Sequence, residues 1–457
     1  MAERVSFTSV IRNRGFLNLW INQILVQLSY NALNFTLILW VFKLTGSNTA
    51  VATLLFFIYL PAVILGLFSG VLVDLINKKK IIMTIDIMLC LLFLSLILLK
   101  EFYPAILVVA FLINALGQFY APTEASAVPM IVKRKQLITA NSIISTTLYT
   151  TFLVGFGLSG FLINHFGINF IFLLGGLILF TAFGLSFLFP TIYARPTRAG
   201  KKLIFAILNK NYLQIKEVGL WEILQTIRMI RGKLPLMTSI LILGGVQMVV
   251  GVLAVLIPSF LERVLHIRAT DASYIMVIPV GMGIVLGGFI LGKFGHSIIR
   301  RVVVSKAIIF SGLLFMLVGI APIISPAIKY LPHSRPLSFI TQPPLSAVLI
   351  VGSFLMGVAM VSILVPSQTV LQENTSNQDR GKVFATLGVA MAGLSLLPVL
   401  LAGILADIFG TNPIFLGLGI IIFLIGLFGL KPSLFFKKAH LPYHIREFLG
   451  LGHWSGK

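Results

Sequence analysis

Four amide side chains, Gln23, Gln27, Asn31 and Asn34, recur along one stretch at the spacing of a single helix face. An amide in hydrocarbon needs a hydrogen-bonding partner, so that face must point at other protein or at a water-filled cavity. The pattern fits the polar wall of a binding cavity and fits interhelical packing equally well. Asn114 and Gln118 form a second pair one turn apart, and Gln247 is a lone amide in an apolar run. Such uncharged groups suit a largely apolar or amphiphilic small molecule, whereas a sugar or dicarboxylate would call for more polar or cationic lining. Acids are sparser. Asp74 and Asp86 fall inside long apolar stretches, and Glu124 falls just past one. An ionisable group at the centre of a bilayer costs about 2.5–3.5 kcal/mol on insertion scales, which makes each a candidate for ion coupling or gating. Asp86, close behind Lys80, is expected to pair with a cation at that membrane edge. Glu124 is expected to face an inner vestibule, where it could carry a proton.

Other chemistries lack their residues. The seven histidines (His165, His266, His296, His333, His440, His444 and His453) fall at span ends, in loops or in the tail without ligand spacing, so no metal site is expected. No G-x-x-x-x-G-K-[ST] loop is present, so ATP is not the direct power source. No cofactor is expected, and the chain does not read as an enzyme. Cys90 is the single cysteine, which excludes an intrachain disulfide and a Cys-rich metal site.

These residues sit in a very apolar chain. Of 457 residues only 11% are charged and 58% are hydrophobic, and mean hydropathy is +1.03. A soluble domain has about a quarter of its residues charged, and a disordered chain needs low hydrophobicity, so both classes are excluded. A spanning helix needs about 20 mostly apolar residues. Twelve stretches qualify, near 16–42, 50–75, 81–99, 103–123, 142–164, 168–189, 235–261, 272–292, 302–322, 346–366, 383–406 and 412–430. None shows the apolar/polar alternation of a membrane barrel. The fold class is therefore an all-α membrane protein.

The chain carries 35 Lys+Arg against 13 Asp+Glu, a net charge of +22. With the N-terminus in the cytoplasm and a retained first helix rather than a signal peptide, 29 of the 35 basic residues fall on the inner face. The other 6, Lys43, Lys100, Arg263, Arg268, Lys329 and Arg335, fall outside. That split follows the positive-inside rule, with both termini cytoplasmic, and explains the basic excess by membrane orientation rather than nucleic acid. The polar interruption between spans six and seven divides the chain into a bundle over 1–190, a linker over 191–234, a second bundle over 235–430 and a basic tail over 431–457. The linker reads as a basic amphipathic helix on the inner face or simply as a tether. Five prolines in 323–345 predict an irregular outer loop.

The halves repeat. Gly70–Asn77 aligns with Gly288–Gly295, Pro122-Thr123-Glu124 with Pro366-Ser367-Gln368, and Gly160–Gly167 with Gly403–Gly410. Two related bundles with a passage between them are a common transporter architecture.

Gly70-Val-Leu-Val-Asp74-Leu-Ile-Asn77-Lys78-Lys79 resembles the G-x-L-x-D-R-x-G-R-R loop of the major facilitator superfamily, with Leu75 and Asn77 departing from the pattern. Stretches around Phe16–Ser47, Pro122–Asn141 and Pro366–Glu373 resemble its bacterial efflux branch, which includes macrolide and enterobactin exporters. The resemblance implies two pseudo-symmetric six-helix bundles and a gating motif of Gly70, Asp74, Lys78 and Lys79. Asp74 would latch the halves at the inner side in the outward-open state, a reading the surrounding motif favours over that of an edge acid neutralised by lysines. Gly292 stands at the repeated position, so one such latch is expected. Gly155–Gly160 lacks the proline of the antiporter motif G-P-x-x-G-G, span four has no basic residue, and Asn31 stands where relatives often carry an acid.

The resulting expectation is a monomeric, multi-pass plasma-membrane transporter whose partners are a small-molecule substrate and the lipid bilayer. It would export hydrophobic or amphiphilic compounds by alternating access on a proton gradient. A lipid or lysolipid translocator, and a non-transporting receptor or scaffold on the same fold, are the alternatives.

Overall fold

Peptide groups in hydrocarbon can bond only to one another, and a long apolar segment satisfies them by coiling into a helix. The computed structural model describes residues 7–73, 76–190, 233–294, 300–329, 345–375 and 380–430. Among the described residues, twelve long helices follow a short one at Phe7–Ile11. They are α1 (Arg14–Thr45), α2 (Asn48–Val73), α3 (Lys78–Leu99), α4 (Tyr103–Ile131), α5 (Leu137–Phe166) and α6 (Ile168–Ser186). The second set is α7 (Leu234–Ser259), α8 (Ile278–Phe294), α9 (Arg300–Lys329), α10 (Leu345–Glu373), α11 (Arg380–Phe409) and α12 (Thr411–Leu430). A π turn at Phe260–Val264 ends α7, and another at Ser273–Val277 leads into α8. With those turns, all twelve are long and apolar enough to cross a bilayer, and no strand occurs among the described residues.

Several helices outrun the apolar stretches that announce them. α4 continues past Pro122 and Pro129 to Ile131, and α10 runs past Pro366 to Glu373. α9 reaches Lys329, into the segment expected to be irregular. A proline removes one N–H, and in membrane helices neighbours and local adjustment make up the loss, so the helix need not stop there. The linker helix, the rest of the proline-rich outer loop and the tail lie outside the described residues.

Local signals fix the ends. Asn13 caps α1, its side chain accepting from Gly15 N at 3.0 Å, while its Nδ2 donates to Ile131 O at 2.9 Å and ties α1 to the end of α4. Asn77 caps α3 through Lys79 N at 3.0 Å. Gly167 (φ 79°) joins α5 to α6, and Gly410 (φ 82°) joins α11 to α12. A one-residue joint with positive φ suits glycine, and here it occurs at the same place in both repeats.

Helix neighbours repeat as the sequence does. α1 packs on α5 as α7 packs on α11; α2 on α4 as α8 on α10; α3 on α6 as α9 on α12. The halves then meet along two equivalent seams, α2 against α11 and α5 against the start of α8. Glycine sets the closeness of the seams. A Cβ on Gly403 of α11 would stand 2.5 Å from Ala52 Cβ and 2.7 Å from Asn48 O of α2. Its repeat partner Gly160 of α5 would collide with Thr270 O and Ser273 at the entry to α8. Within the second half, Gly312 of α9 meets Gly419 of α12, Gly319 of α9 meets the backbone of Asn412 and Leu416, and Gly426 of α12 meets that of Ser305 and Ile309.

Replacing Gly403 by leucine should therefore push α2 off α11, at a cost of about 1–3 kcal/mol. Gly388, with nothing within 4 Å of its Cβ position, should tolerate alanine. Thermal unfolding of the purified protein compares the two, with a marked loss expected for Gly403→Leu alone.

Candidate functional site

Near the middle of α1, α2, α4 and α7, the polar side chains turn toward one another. Tyr30 of α1 donates a short hydrogen bond to Asn114 Oδ1 of α4, and Asn114 Nδ2 donates to Ala110 O at 2.8 Å. Asn34, one turn along α1, lies beside the same hydroxyl, and its Oδ1 is buried with no partner. Gly117 of α4 borders the tyrosine ring, its Cβ position 3.6 Å from it. Tyr59 of α2 accepts a 3.3 Å hydrogen bond from Gln247 Nε2 of α7, which joins the first half to the second at mid-depth. Gln118 of α4 is half-buried, its Oε1 3.7 Å from the Cβ position of Gly66 on α2. Gly251 of α7 borders the same tyrosine, with Tyr59 Oη 3.3 Å from its Cβ position.

The amide face of α1 is divided between two jobs. Gln23 is fully buried and reaches Ile144 O of α5 at 3.4 Å, and Asn31 packs its Cβ against Gly155 of α5. Those two hold α1 on α5. Gln27 is half-buried, and Asn34 stands with Tyr30 in the mid-depth cluster. Asn114, Gln118 and Gln247 join that cluster, as do Tyr30 and Tyr59, which the amide pattern alone does not single out.

The acids occupy a separate compartment inside the first half. Asp86 is 0% exposed and takes its hydrogen bond from Asn22 Nδ2 of α1 at 2.7 Å, not from the cation expected at the membrane edge. It lies two turns inside α3, beyond the reach of that edge. Asn22 Nδ2 also donates to Ala182 O of α6 at 3.1 Å, and Asn22 Oδ1 accepts from Tyr120 of α4 at 2.9 Å. Glu124 follows Tyr120 by one turn and is 5% exposed. The expectation that it lies past its span, facing a vestibule, is corrected: α4 continues for two further turns and carries it into the bundle. Asp86 Oδ1 and Glu124 Oε1 are both buried without a hydrogen-bond partner. Both acids lie close enough to Tyr120 to act on it electrostatically.

Of the gating motif, Asp74 lies outside the described residues. Gly70 has nothing within 4 Å of its Cβ position. Lys78 is fully buried and donates to Val73 O at the end of α2, and Lys79 donates to Phe187 O after α6 at 2.7 Å. Both ammonium groups thus cap carbonyl ends of helices, where the dipole favours positive charge.

The sequence profile of the Major Facilitator Superfamily matches residues 19–331. An uncharacterized MFS-type transporter of Bacillus subtilis (strain 168), YfmI, is 22% identical over 440 residues, covering 94% of this chain and 98% of its own. Macrolide efflux protein A of Streptococcus pyogenes is 22% identical over 420 residues, covering 90% of this chain and 94% of its own. Among solved structures, an auto-inhibited POT family peptide transporter matches with a TM-score of 0.69 at 14% identity, over 94% of this chain and 99% of that one. The nucleoside transporter NupG matches with a TM-score of 0.64 at 13% identity, over 93% and 99%. At these identities the structures show a common fold.

The two clusters should separate in mutagenesis. Asn22→Ala strips the donor from Asp86 and the acceptor from Tyr120 at a buried site, which should cost about 1–3 kcal/mol or more. Gln247→Ala removes one long hydrogen bond from a half-buried group and should leave stability within about 1 kcal/mol. Thermal unfolding in detergent checks both.

Proposed function

Because the chain belongs to the Major Facilitator Superfamily, we propose that it is a secondary active exporter of hydrophobic or amphiphilic small molecules. The moving parts are the bundles of residues 1–190 and 235–430, which rock about the mid-depth cluster. The observation that carries this reading is the placement of Tyr30, Asn34, Tyr59, Asn114, Gln118 and Gln247 near the helix middles at the meeting of the two halves. A site at the repeat interface near the bilayer midplane is where alternating access needs it. Its hydrogen-bonding capacity is uncharged and its rings are amphipathic. These features favour a ligand with an apolar body and a few polar atoms over a charged metabolite. The efflux direction draws support from the relative named as a macrolide efflux protein.

Protons are the proposed driving ion, carried by Asp86 and Glu124. Burial without a countercharge makes the ionised form of a carboxyl costly, so loss or gain of a proton there depends on hydration of the site. The acid compartment and the mid-depth cluster share α1 and α4, and Asn22 stands about 12 Å along α1 from Tyr30 at 1.5 Å per residue. A ligand that shifts those two helices would alter access to the acids. The protein is further proposed to act as a monomer in the plasma membrane, with both termini in the cytoplasm.

Reconstituted vesicles with an imposed proton gradient and a panel of lipophilic dyes test the reading. The unaltered protein should move at least one dye in a gradient-dependent manner. Glu124→Gln should abolish gradient-driven flux while dye binding persists. Tyr59→Phe, which removes the acceptor for Gln247, should weaken dye binding by about threefold to tenfold, the equivalent of one ordinary hydrogen bond. Absence of any gradient-dependent flux over a broad panel, which the receptor or scaffold alternative requires, would contradict it.

A further inference from the structure

At the end of the molecule assigned to the outside, Asp407 of α11 crosses to the other half and caps the first turn of α2. Its carboxylate accepts from Ser47 Oγ at 2.6 Å, Asn48 N at 2.8 Å, Thr49 N at 2.9 Å and Asn48 Nδ2 at 2.9 Å. The first N–H groups of a helix have no partner within it, and the helix dipole favours an anion there. In most proteins a nearby residue of the same chain segment supplies that cap. Here the opposite bundle supplies it. Asn48, fully buried, also donates to Ser259 Oγ of α7 at 3.2 Å, and Arg263 beyond α7 donates to Gly46 O. Three elements of the second half thus hold the turn between α1 and α2.

The internal repeat makes the arrangement informative. Asn164 of α5 occupies the position that aligns with Asp407 and meets the entry to α8, the counterpart of α2. It donates to Asp271 Oδ1 at 3.1 Å and accepts from Thr270 Oγ1 at 2.7 Å. Both seams are therefore closed at the same end of the molecule, by a carboxylate on one and an amide on the other. These bonds cross between the halves about 16 Å along α2 from Tyr59 of the mid-depth cluster, at 1.5 Å per residue.

We propose that Asp407 is the positioning residue that sets the resting direction of the transporter, as the outer latch that each cycle must break and remake. The proposal rests on the alternating-access reading above. The substrate then loads from the side opposite Asp407, as an exporter requires. Asp407 carries more of the closure than Asn164, because its carboxylate accepts four hydrogen bonds, two of them from backbone N–H groups at a helix start, whereas Asn164 makes two, of which only that to Asp271 is charge-assisted.

Spin labels on Phe102→Cys and Pro413→Cys, both exposed near that end and on opposite halves, read the gap in full-length protein in lipid, with Cys90→Ser as background. The unaltered latch should give one short distance. Asp407→Asn should add a longer one and shift the closed-to-open ratio by at least about tenfold, equivalent to about 1.4 kcal/mol. Glu373→Gln, which breaks the 2.5 Å pair with Arg300 inside the second half, should leave the distances unchanged. Superimposable distributions for Asp407→Asn and the unaltered protein, or a long distance dominant in the unaltered protein, would overturn the latch. A second variant does not depend on the balance of states. A disulfide between Ser47→Cys and Asp407→Cys should arrest dye transport in vesicles, with recovery on reduction. Transport that continues with the link fully formed would overturn the proposal. If the unaltered protein moves no dye, the transport reading fails, while the spin-label distances still decide the latch.

Discussion

A polar group inside a membrane has only the protein to bond to, and this one constraint orders everything from the helices to the gate. It makes each apolar stretch a helix. It sends Lys78 and Lys79 to the carbonyl ends of α2 and α6, and it brings Asn22 of α1 to Asp86, Tyr120 and Ala182 O and Gln23 to Ile144 O. Where two halves must separate, the same constraint becomes a mechanism. Bonds that cross between halves can be exchanged only for water or ligand, so their position tells which end opens.

The two halves share a plan and differ in content. Paired neighbours, the Gly167 and Gly410 joints and the close seams at Gly160 and Gly403 show the repeat in three dimensions. Polar chemistry is concentrated in the first half, with Asn22, Asp86, Tyr120 and Glu124 in one compartment and Tyr30, Tyr59 and Asn114 in another. The second half contributes Gln247 at mid-depth and, at the Asp407 end, the cross-half polar groups Asp407, Ser259, Arg263, Thr270 and Asp271. On the proposed mechanism, that division would let the first bundle carry recognition and ion chemistry while the second serves as the surface it moves against.

The count and order of spans were legible in the sequence because hydropathy and the Lys/Arg bias are local signals. The repeat was legible because Gly160–Gly167 and Gly403–Gly410 preserve the residues at a joint that only glycine makes cheaply. Helix ends were less so: Pro122 reads as a stop, yet α4 continues to Ile131 and thereby buries Glu124. Tyr30 and Tyr59 pass for apolar filler until their hydroxyls are seen to meet Asn114 and Gln247. Asn22 falls off the amide face of α1 and could have been found only by asking what donor Asp86 would need. Asp407 was invisible for a different reason, since its partners lie in the other half of the chain and no periodicity links them. Pairings across halves are set by how the bundles dock, which no single segment encodes.

On the proposed mechanism a mid-depth site faces each side of the membrane in turn. A single cysteine at Gln118, in the Cys90→Ser background, can be probed with membrane-impermeant thiol reagents added to either side of sealed vesicles. Labelling is expected from the side opposite Asp407 at rest, and from the Asp407 side once a proton gradient and substrate drive the cycle. Labelling from neither side, or from one side unaltered under every condition, would contradict it.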